Sequence, residues 1–217
     1  MKERSILFSG EMVRVILDGR KTQTRRVLKK QPIDILPMKV QNLWVTLEEI
    51  NPNHGRVIKC RFGVPGDRLW VRETWAHDDM NCNDIHCGNI DHIWYRASES
   101  PVVADSFAGA AHWRPSIFMP RWASRITLEI VSVRVERVQD ISANDAIAEG
   151  VCTTQYWKPK EVENKPFEEK WWDDYYFWNH YPQIAYQNLW NSINFKRGFG
   201  WDVNPWVWVM EFKGSHE

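Results

Sequence analysis

Residues Arg125–Arg137, RITLEIVSVRVER, form the most strand-like run in the chain. Ile126, Leu128 and Ile130 share one parity, and Val131, Val133 and Val135 take the other. Successive side chains of a strand point to opposite faces, so this pattern switches its apolar face halfway along. A bulge or bend does that, as where a strand rounds the corner of a small barrel.

Working outward, Ser142 is placed to cap a short helix over Ala143–Glu149, with Asp145 three residues on and Gly150 as its stop. A second helix is expected near 183–194, where Ala185, Tyr186, Leu189, Trp190 and Ile193 make one stripe. Trp206–Phe212 is apolar on both faces at its start and reads as a central strand. Towards the N-terminus, Pro65-Gly66-Asp67 forms a turn before an aromatic strand at Leu69–Val71. NLWV, RVIKC and IWYR are further candidate strands. Ser5–Ser9 reads as a first strand that could pair with the last one. Met12, Val13, Ile16 and Leu17 then follow at helical spacing up to Gly19. The next segment, RKTQTRR, is polar throughout and is expected outside the core. The pattern predicts one α+β domain over residues 1–217, built on a small curved sheet or barrel with flanking helices. Insertions decorate it at about 76–112 and 152–182.

Composition narrows the function classes. The 217 residues include 14 Trp, 9 Phe and 6 Tyr, aromatic surface that needs burial or stacking and excludes a disordered chain. No apolar run approaches the roughly 20 residues that span a bilayer. The N-terminus lacks the uninterrupted apolar stretch of a signal peptide, so a cytoplasmic address is the expectation. Four cysteines, Cys60, Cys82, Cys87 and Cys152, are too few for a disulfide scaffold at this size. Lysine plus arginine and aspartate plus glutamate balance at 28 each, against a purely electrostatic nucleic-acid binder. The charge is unevenly spread, however. Residues 11–30 carry seven basic side chains and two acidic ones, and residues 161–174 carry six acids and two lysines.

Three polar constellations can carry chemistry. The first is Gly19-Arg20-Lys21-Thr22-Gln23-Thr24-Arg25-Arg26. A lysine amine meeting a threonine hydroxyl is one way to activate an oxygen nucleophile, provided burial or cationic neighbours depress the lysine pKa. Arg20, Arg25 and Arg26 are such neighbours, and they suit phosphate or carboxylate equally well. A solvated basic loop fits the spacing too. The second is Trp70-Val71-Arg72-Glu73-Thr74-Trp75, a carboxylate between indoles that can stack on a planar base, or a solvated Glu between core tryptophans. The third is Met119-Pro120-Arg121-Trp122-Ala123-Ser124-Arg125, where arginine beside tryptophan suits phosphate plus base, or a loop anchored by a buried ring. His77, Cys82, His86, Cys87 and His92 are dense enough to test for zinc, but their spacing lacks a diagnostic second pair, and no metal or cofactor is expected. Phosphate-loop, dinucleotide, HExxH and GxSxG patterns are absent.

Four segments in order, ILFSGEMVRVILDGRKTQTRR, PGDRLWVRETW, WRPSIFMPRWASRITLEIVSVRVERVQDISANDAIAEG and NPWVWVMEF, resemble the ASCH-domain family. Within it they are most similar to the larger phage and prophage members labelled morphogenesis-associated. The resemblance implies a PUA-like fold, a small β-barrel with flanking helices and a cleft for nucleotides or RNA. Small bacterial members are amidohydrolases that deacetylate N4-acetylcytidine with a Lys and a Thr of the G-R-K-T-x-T motif and a later Glu. Carried over by motif, these are Lys21, Thr24 and Glu73.

Three functions compete. One is an amidohydrolase acting on an acylated pyrimidine nucleoside. The second is a non-catalytic module that binds single-stranded RNA or a modified base. The third is a phage accessory or assembly protein that docks a protein partner through the aromatic, acidic stretch at 152–182, whose WWDDYYFW motif suits an interface or a lid.

Overall fold

A computed structural model describes residues 1–37, 44–48, 51–77, 93–98, 113–151 and 182–215. It is a mixed helix and sheet structure of α+β type. The strands are β1 (Glu3–Leu7), β2 (Gln23–Val27), β3 (Asp34–Pro37), β4 (Trp44–Glu48), β5 (Asn51–Ile58), β6 (Arg68–Arg72), β7 (Trp75–His77), β8 (Ile93–Tyr95), β9 (Thr127–Arg137) and β10 (Trp206–Ser215). The helices are α1 (Gly10–Leu17), α2 (Ala143–Ala148) and α3 (Pro182–Asn194). Five strands form one sheet in the order β1-β6-β9-β10-β2. β3, β4 and β5 form an antiparallel three-stranded sheet, and β7 pairs with β8. No helix among the described residues is long and apolar enough to cross a membrane.

The chain divides into two compact units. One comprises Met1–Gly19, Phe62–Ile130 and Phe212–Glu217; the other comprises Arg20–Arg61 and Val131–Glu211. In the first, β1 runs parallel to β6, with Ile6 opposite Val71, and β6 is antiparallel to the start of β9, with Leu69 opposite Leu128. These four side chains are buried. α1 begins where the Ser9 hydroxyl accepts from the Met12 N–H, and it buries Val13, Val15 and Ile16. It stops at Gly19, whose φ of 71° suits a residue without a side chain. Asp67 stitches the turn before β6 by accepting from the Lys2 N–H at 2.7 Å and from Arg4 at 2.8 Å.

The second unit gathers its core from Val138, Ile141, Ala146, Tyr186, Trp190, Val207 and Val209. α2 starts as the Ser142 pattern predicts, with its hydroxyl accepting from the Asp145 N–H, and ends at Gly150 with φ 85°. The stripe on α3 buries Tyr186 and Trp190, whereas Ile193 at its far end is exposed.

Two expectations are corrected. β1 and β10 do not pair, because β10 lies between β9 and β2 while β1 hydrogen-bonds β6. RKTQTRR does not lie outside the core either: Lys21, Gln23, Thr24 and Arg25 are all buried. Glu136, Asp145 and Glu149 meet the charges of Lys21 and Arg25 there, a compensation that a polar run does not reveal by itself. The parity change in β9 falls at Ile130/Val131, where the strand leaves the first unit and enters the second; Ile130 is buried and Val131 exposed.

Candidate functional site

β2 explains why so many polar side chains are buried in the second unit. It pairs antiparallel with β10, placing Thr24 opposite Met210 and Arg25 opposite Val209. Strand alternation puts Gln23 and Arg25 on one face and Thr24 and Arg26 on the other. On the first of these faces, α2 and its C-terminal residue Glu149 supply carboxylates. Lys21, just before β2, donates from Nζ to Glu149 Oε2 at 2.7 Å and to the Glu149 carbonyl at 2.8 Å. Their side chains are only 2% and 4% exposed, so this is a desolvated ion pair. Arg25 Nη1 reaches the other oxygen of Glu149 at 3.2 Å. The same guanidinium binds Glu136 and lies 3.4 Å from Asp145. Gln23 completes the arrangement, donating to Asp145 at 2.9 Å and accepting from Arg25. Arg134 extends it towards solvent, contacting Glu136, Asp145 and Glu211. The result is a line of alternating charges in which each carboxylate bridges two cations or a cation and an amide.

Burial sets the proton affinities. Desolvation pulls the Lys21 pKa below its usual value; Glu149 pushes the other way, while Arg26 and Arg25 add to the lowering. Desolvation also lowers the pKa of Arg26. For Arg25 the desolvation is outweighed by Glu149, Tyr186 and Glu136, and the pKa rises. Desolvation likewise works against the Asp145 carboxylate, but hydrogen bonds from Gln23 and Ser142 and the charges of Arg134 and Arg25 leave its pKa lowered. The Tyr186 phenol, buried beside Glu149, is held neutral, its pKa well above the ordinary value. Arg25 lies over the Tyr186 ring at 5.7 Å. A lysine that parts with its proton more easily than usual, in contact with a carboxylate, can exchange a proton without solvent.

The first unit holds a separate polar group around Glu73, which is 1% exposed. Arg125 grips both of its oxygens, Nε to Oε1 and Nη2 to Oε2, each at 3.0 Å. That guanidinium stacks on the Tyr95 ring at 4.0 Å, and the Tyr95 hydroxyl donates to the Ala123 carbonyl at 2.9 Å. Desolvation raises the Tyr95 pKa, which the Arg125 charge opposes. Glu73 is thus neither solvated nor lone. Beside it, Trp75 packs with Met119 and Ala123 in a small core. Its ring has Arg114 at 5.5 Å, His77 stacked at 5.3 Å and Trp122 edge-on at 5.7 Å, so protein groups surround it.

The candidate residues therefore separate. Arg20, Lys21, Thr24, Arg25 and Arg26 belong to the second unit; Trp70, Arg72, Glu73, Trp75, Arg121, Trp122, Ser124 and Arg125 belong to the first. Thr24 is buried, and Arg20 and Arg26 are half-buried. Arg72 sits over the Trp70 ring at 5.4 Å, and the Ser124 hydroxyl donates to the Val71 carbonyl at 2.8 Å. The residue that pattern reading missed is Glu149. Its signal was an acid immediately before a helix-stopping glycine, at the C-terminal end of a helix, where a negative charge is disfavoured unless a cation meets it. Cys82, His86, Cys87, His92 and the stretch 152–181 lie outside the described residues; among the described residues no group of three metal-ligating side chains converges. No family model, curated protein or solved structure matches the chain.

Proposed function

We propose that this chain is a PUA-like, nucleoside-recognising amidohydrolase that removes the acyl group from an N4-acylated pyrimidine such as N4-acetylcytidine, using Lys21, Thr24 and Glu149. The observation that carries this is the buried contact between Lys21 Nζ and Glu149. The resemblance to ASCH proteins supplies the substrate class and the Lys–Thr pair. It also implied Glu73 as the third member. The contact favours Glu149 for that role, since Glu149 touches Lys21 whereas Glu73 is held by Arg125 in the first unit.

The chemistry starts from the neutral form of the pair, with the proton on Glu149 and Lys21 as a free amine. Thr24, which strand alternation puts on the other face of β2, turns towards Lys21, gives it its hydroxyl proton and attacks the acyl carbon. The C–N bond breaks as Glu149 protonates the leaving amine, which leaves an acyl ester on Thr24 and the pair in its charged form. Water then attacks the ester, giving its proton to Glu149, while Thr24 recovers a proton from Lys21. Carboxylic acid and base are both restored.

The test is release of cytidine from N4-acetylcytidine by the purified protein, followed by chromatography. Lys21→Ala should abolish release. Glu149→Gln should lower kcat by roughly 100- to 10,000-fold, the usual worth of general acid–base catalysis. Glu73→Gln should leave kcat per folded molecule intact. Release undiminished in Lys21→Ala, or none from the folded wild type at high enzyme concentration, would remove the catalytic assignment.

A further inference from the structure

Arg25 touches the proposed catalytic pair but has no step in its chemistry. Its side chain is fully buried, so its charge has to be met inside the second unit. Each carboxylate that meets it also meets a second cation: Glu136 and Asp145 pair with Arg134, and Glu149 pairs with Lys21. The need for a counter-charge therefore does not explain why Arg25 reaches Glu149 as well. The geometry does. Lys21 takes Oε2 of Glu149 at 2.7 Å and Arg25 Nη1 takes Oε1 at 3.2 Å, so the two oxygens are divided between two cations. A carboxylate held at both oxygens is fixed in one orientation towards Lys21.

Arg25 is itself aimed. Its Nε and Nη2 both donate to one oxygen of Glu136, Oε1, while Arg134 occupies Oε2. A guanidinium gripped at a single oxygen can pivot about it, which a two-oxygen fork prevents. Gln23 stops the pivot by accepting from Nη1. The Gln23 amide is oriented for this, because its Nε2 donates to Asp145 Oδ1 at 2.9 Å and to Glu211 Oε1 at 3.3 Å. Carboxylates accept and do not donate when ionised, so only the amide oxygen is left to face Arg25. The ring of Tyr186 covers the guanidinium from α3, its centre 5.7 Å from Cζ.

We propose that Arg25, kept in place by Gln23, is the positioning residue of the Lys21–Glu149 pair: it holds Oε1 of Glu149, leaves Oε2 to Lys21, and sets the pH range over which the pair works. The consequence for turnover rests on the amidohydrolase reading; the hold on the pair does not. The charges acting on Lys21 are Glu149 at the end of α2 and Arg25 and Arg26 on β2. Those facing Arg25 are Glu149 and Asp145 from α2 and Glu136 from β9, with the Tyr186 phenol on α3. Burial is the chief cause of the lowered Lys21 pKa; Glu149 opposes it, and Arg26 and Arg25 add to it. Without the Arg25 charge two influences change together. A like charge is gone, and both oxygens of Glu149 become free for Lys21. Each tightens the hold of Lys21 on its proton, so the direction is fixed.

The test is the titration of Lys21 in the full chain, followed from about pH 6 to 10 by NMR of isotope-labelled lysine Cε, with the signal identified by its loss in Lys21→Arg. Arg25→Gln should move this titration to higher pH. Arg25→Lys keeps the charge and should bring it back towards wild type, but one ammonium cannot span Gln23, Glu136 and Glu149 as the guanidinium does. With N4-acetylcytidine as substrate, both variants should therefore lower kcat roughly 100-fold with little change in KM, the cost of misplacing a reacting group by about 1 Å. In Arg25→Gln alone, the alkaline limb of the pH profile should also move up. Arg134→Gln removes a cation whose ion pairs are with Glu136, Asp145 and Glu211. A loss of kcat there as large as in Arg25→Gln would reduce Arg25 to one charge among several and overturn the proposal. Lys21 titrating in Arg25→Gln as it does in wild type overturns it too, whether or not turnover is seen. A shifted titration in a wild type without turnover would remove the amidohydrolase reading and leave the hold of Arg25 on the pair standing. Should Arg25→Gln fail to fold, Arg25→Gln/Glu136→Gln removes the guanidinium together with one of its carboxylates and is read in the same way.

Discussion

Glu149→Gln is the most informative single change, because it keeps the side-chain shape and removes one charge from a buried cluster. In the wild type that carboxylate faces Lys21 and Arg25 together. Arg25 retains Glu136 and Asp145 after the substitution; Lys21 loses its carboxylate and keeps the residue 149 carbonyl. Removing one partner of a buried ion pair costs about 3–5 kcal/mol when the other must stay charged. Lys21 has an alternative, since it can release its proton, and burial has already lowered its pKa. The folded pKa lies below that of the unfolded chain. Between the two, the unfolded chain binds the extra proton, and stability climbs with pH by about 1.4 kcal/mol per unit. Glu149→Gln removes the interactions that hold the Lys21 pKa up, so its climb begins at lower pH. The penalty relative to wild type is therefore largest in mild acid and shrinks as pH rises through the lowered Lys21 pKa. Urea unfolding at several values between about pH 6 and 9 reads this directly and stays below the range where an unfolded tyrosine such as Tyr186 would ionise. Lys21→Met in the Glu149→Gln background should remove the pH dependence of the difference. A penalty under about 1 kcal/mol in mild acid, or one that is constant with pH, would refute the idea that Glu149 governs the Lys21 charge.

Two further outcomes test the first unit. Gly63 has φ 136°, and a Cβ there would meet Ile130 Cδ1 at 2.9 Å and Asp67 Cβ at 3.0 Å, so Gly63→Ala should cost about 2–4 kcal/mol in a urea titration, and a cost within about 0.5 kcal/mol would contradict that packing. The buried Trp75 Nε1–H has no acceptor among the described residues; Trp75→Phe removes that unmet donor and should cost less than about 1.5 kcal/mol against about 3–5 for Trp75→Ala, and equal thermal-melting losses would show that the N–H is satisfied.

Local signals were legible where a single residue type dictates geometry. Ser142, Asp145 and Gly150 marked both ends of α2, and Gly19 marked the end of α1. Apolar alternation located β9, and a turn followed by an aromatic, apolar run located β6. Pairing was not legible in the same way. Trp206–Phe212 announced a central strand, yet nothing local names β9 and β2 as its neighbours over β1. The site failed for a related reason. Gln23 and Arg25 look like solvent-seeking residues until the acids that meet them, 111 to 124 positions away, are brought to the same face. Burial of a charge depends on its partner, and the partner is a property of the fold.

The division of the chain also has a consequence for how the protein is made. The first unit closes only when Phe212 reaches Phe8, their rings 6.3 Å apart, although about 200 residues separate them in sequence. At about 5–20 residues per second of synthesis, Phe8 waits on the order of 10 to 40 s before that partner emerges from the ribosome. The second unit waits as well, because Lys21 must remain without Glu149 for 128 residues. Both units are thus completed late and from distant pieces, a topology that slows folding. Cutting the chain after Glu211 would accordingly damage the unit that contains the N-terminus.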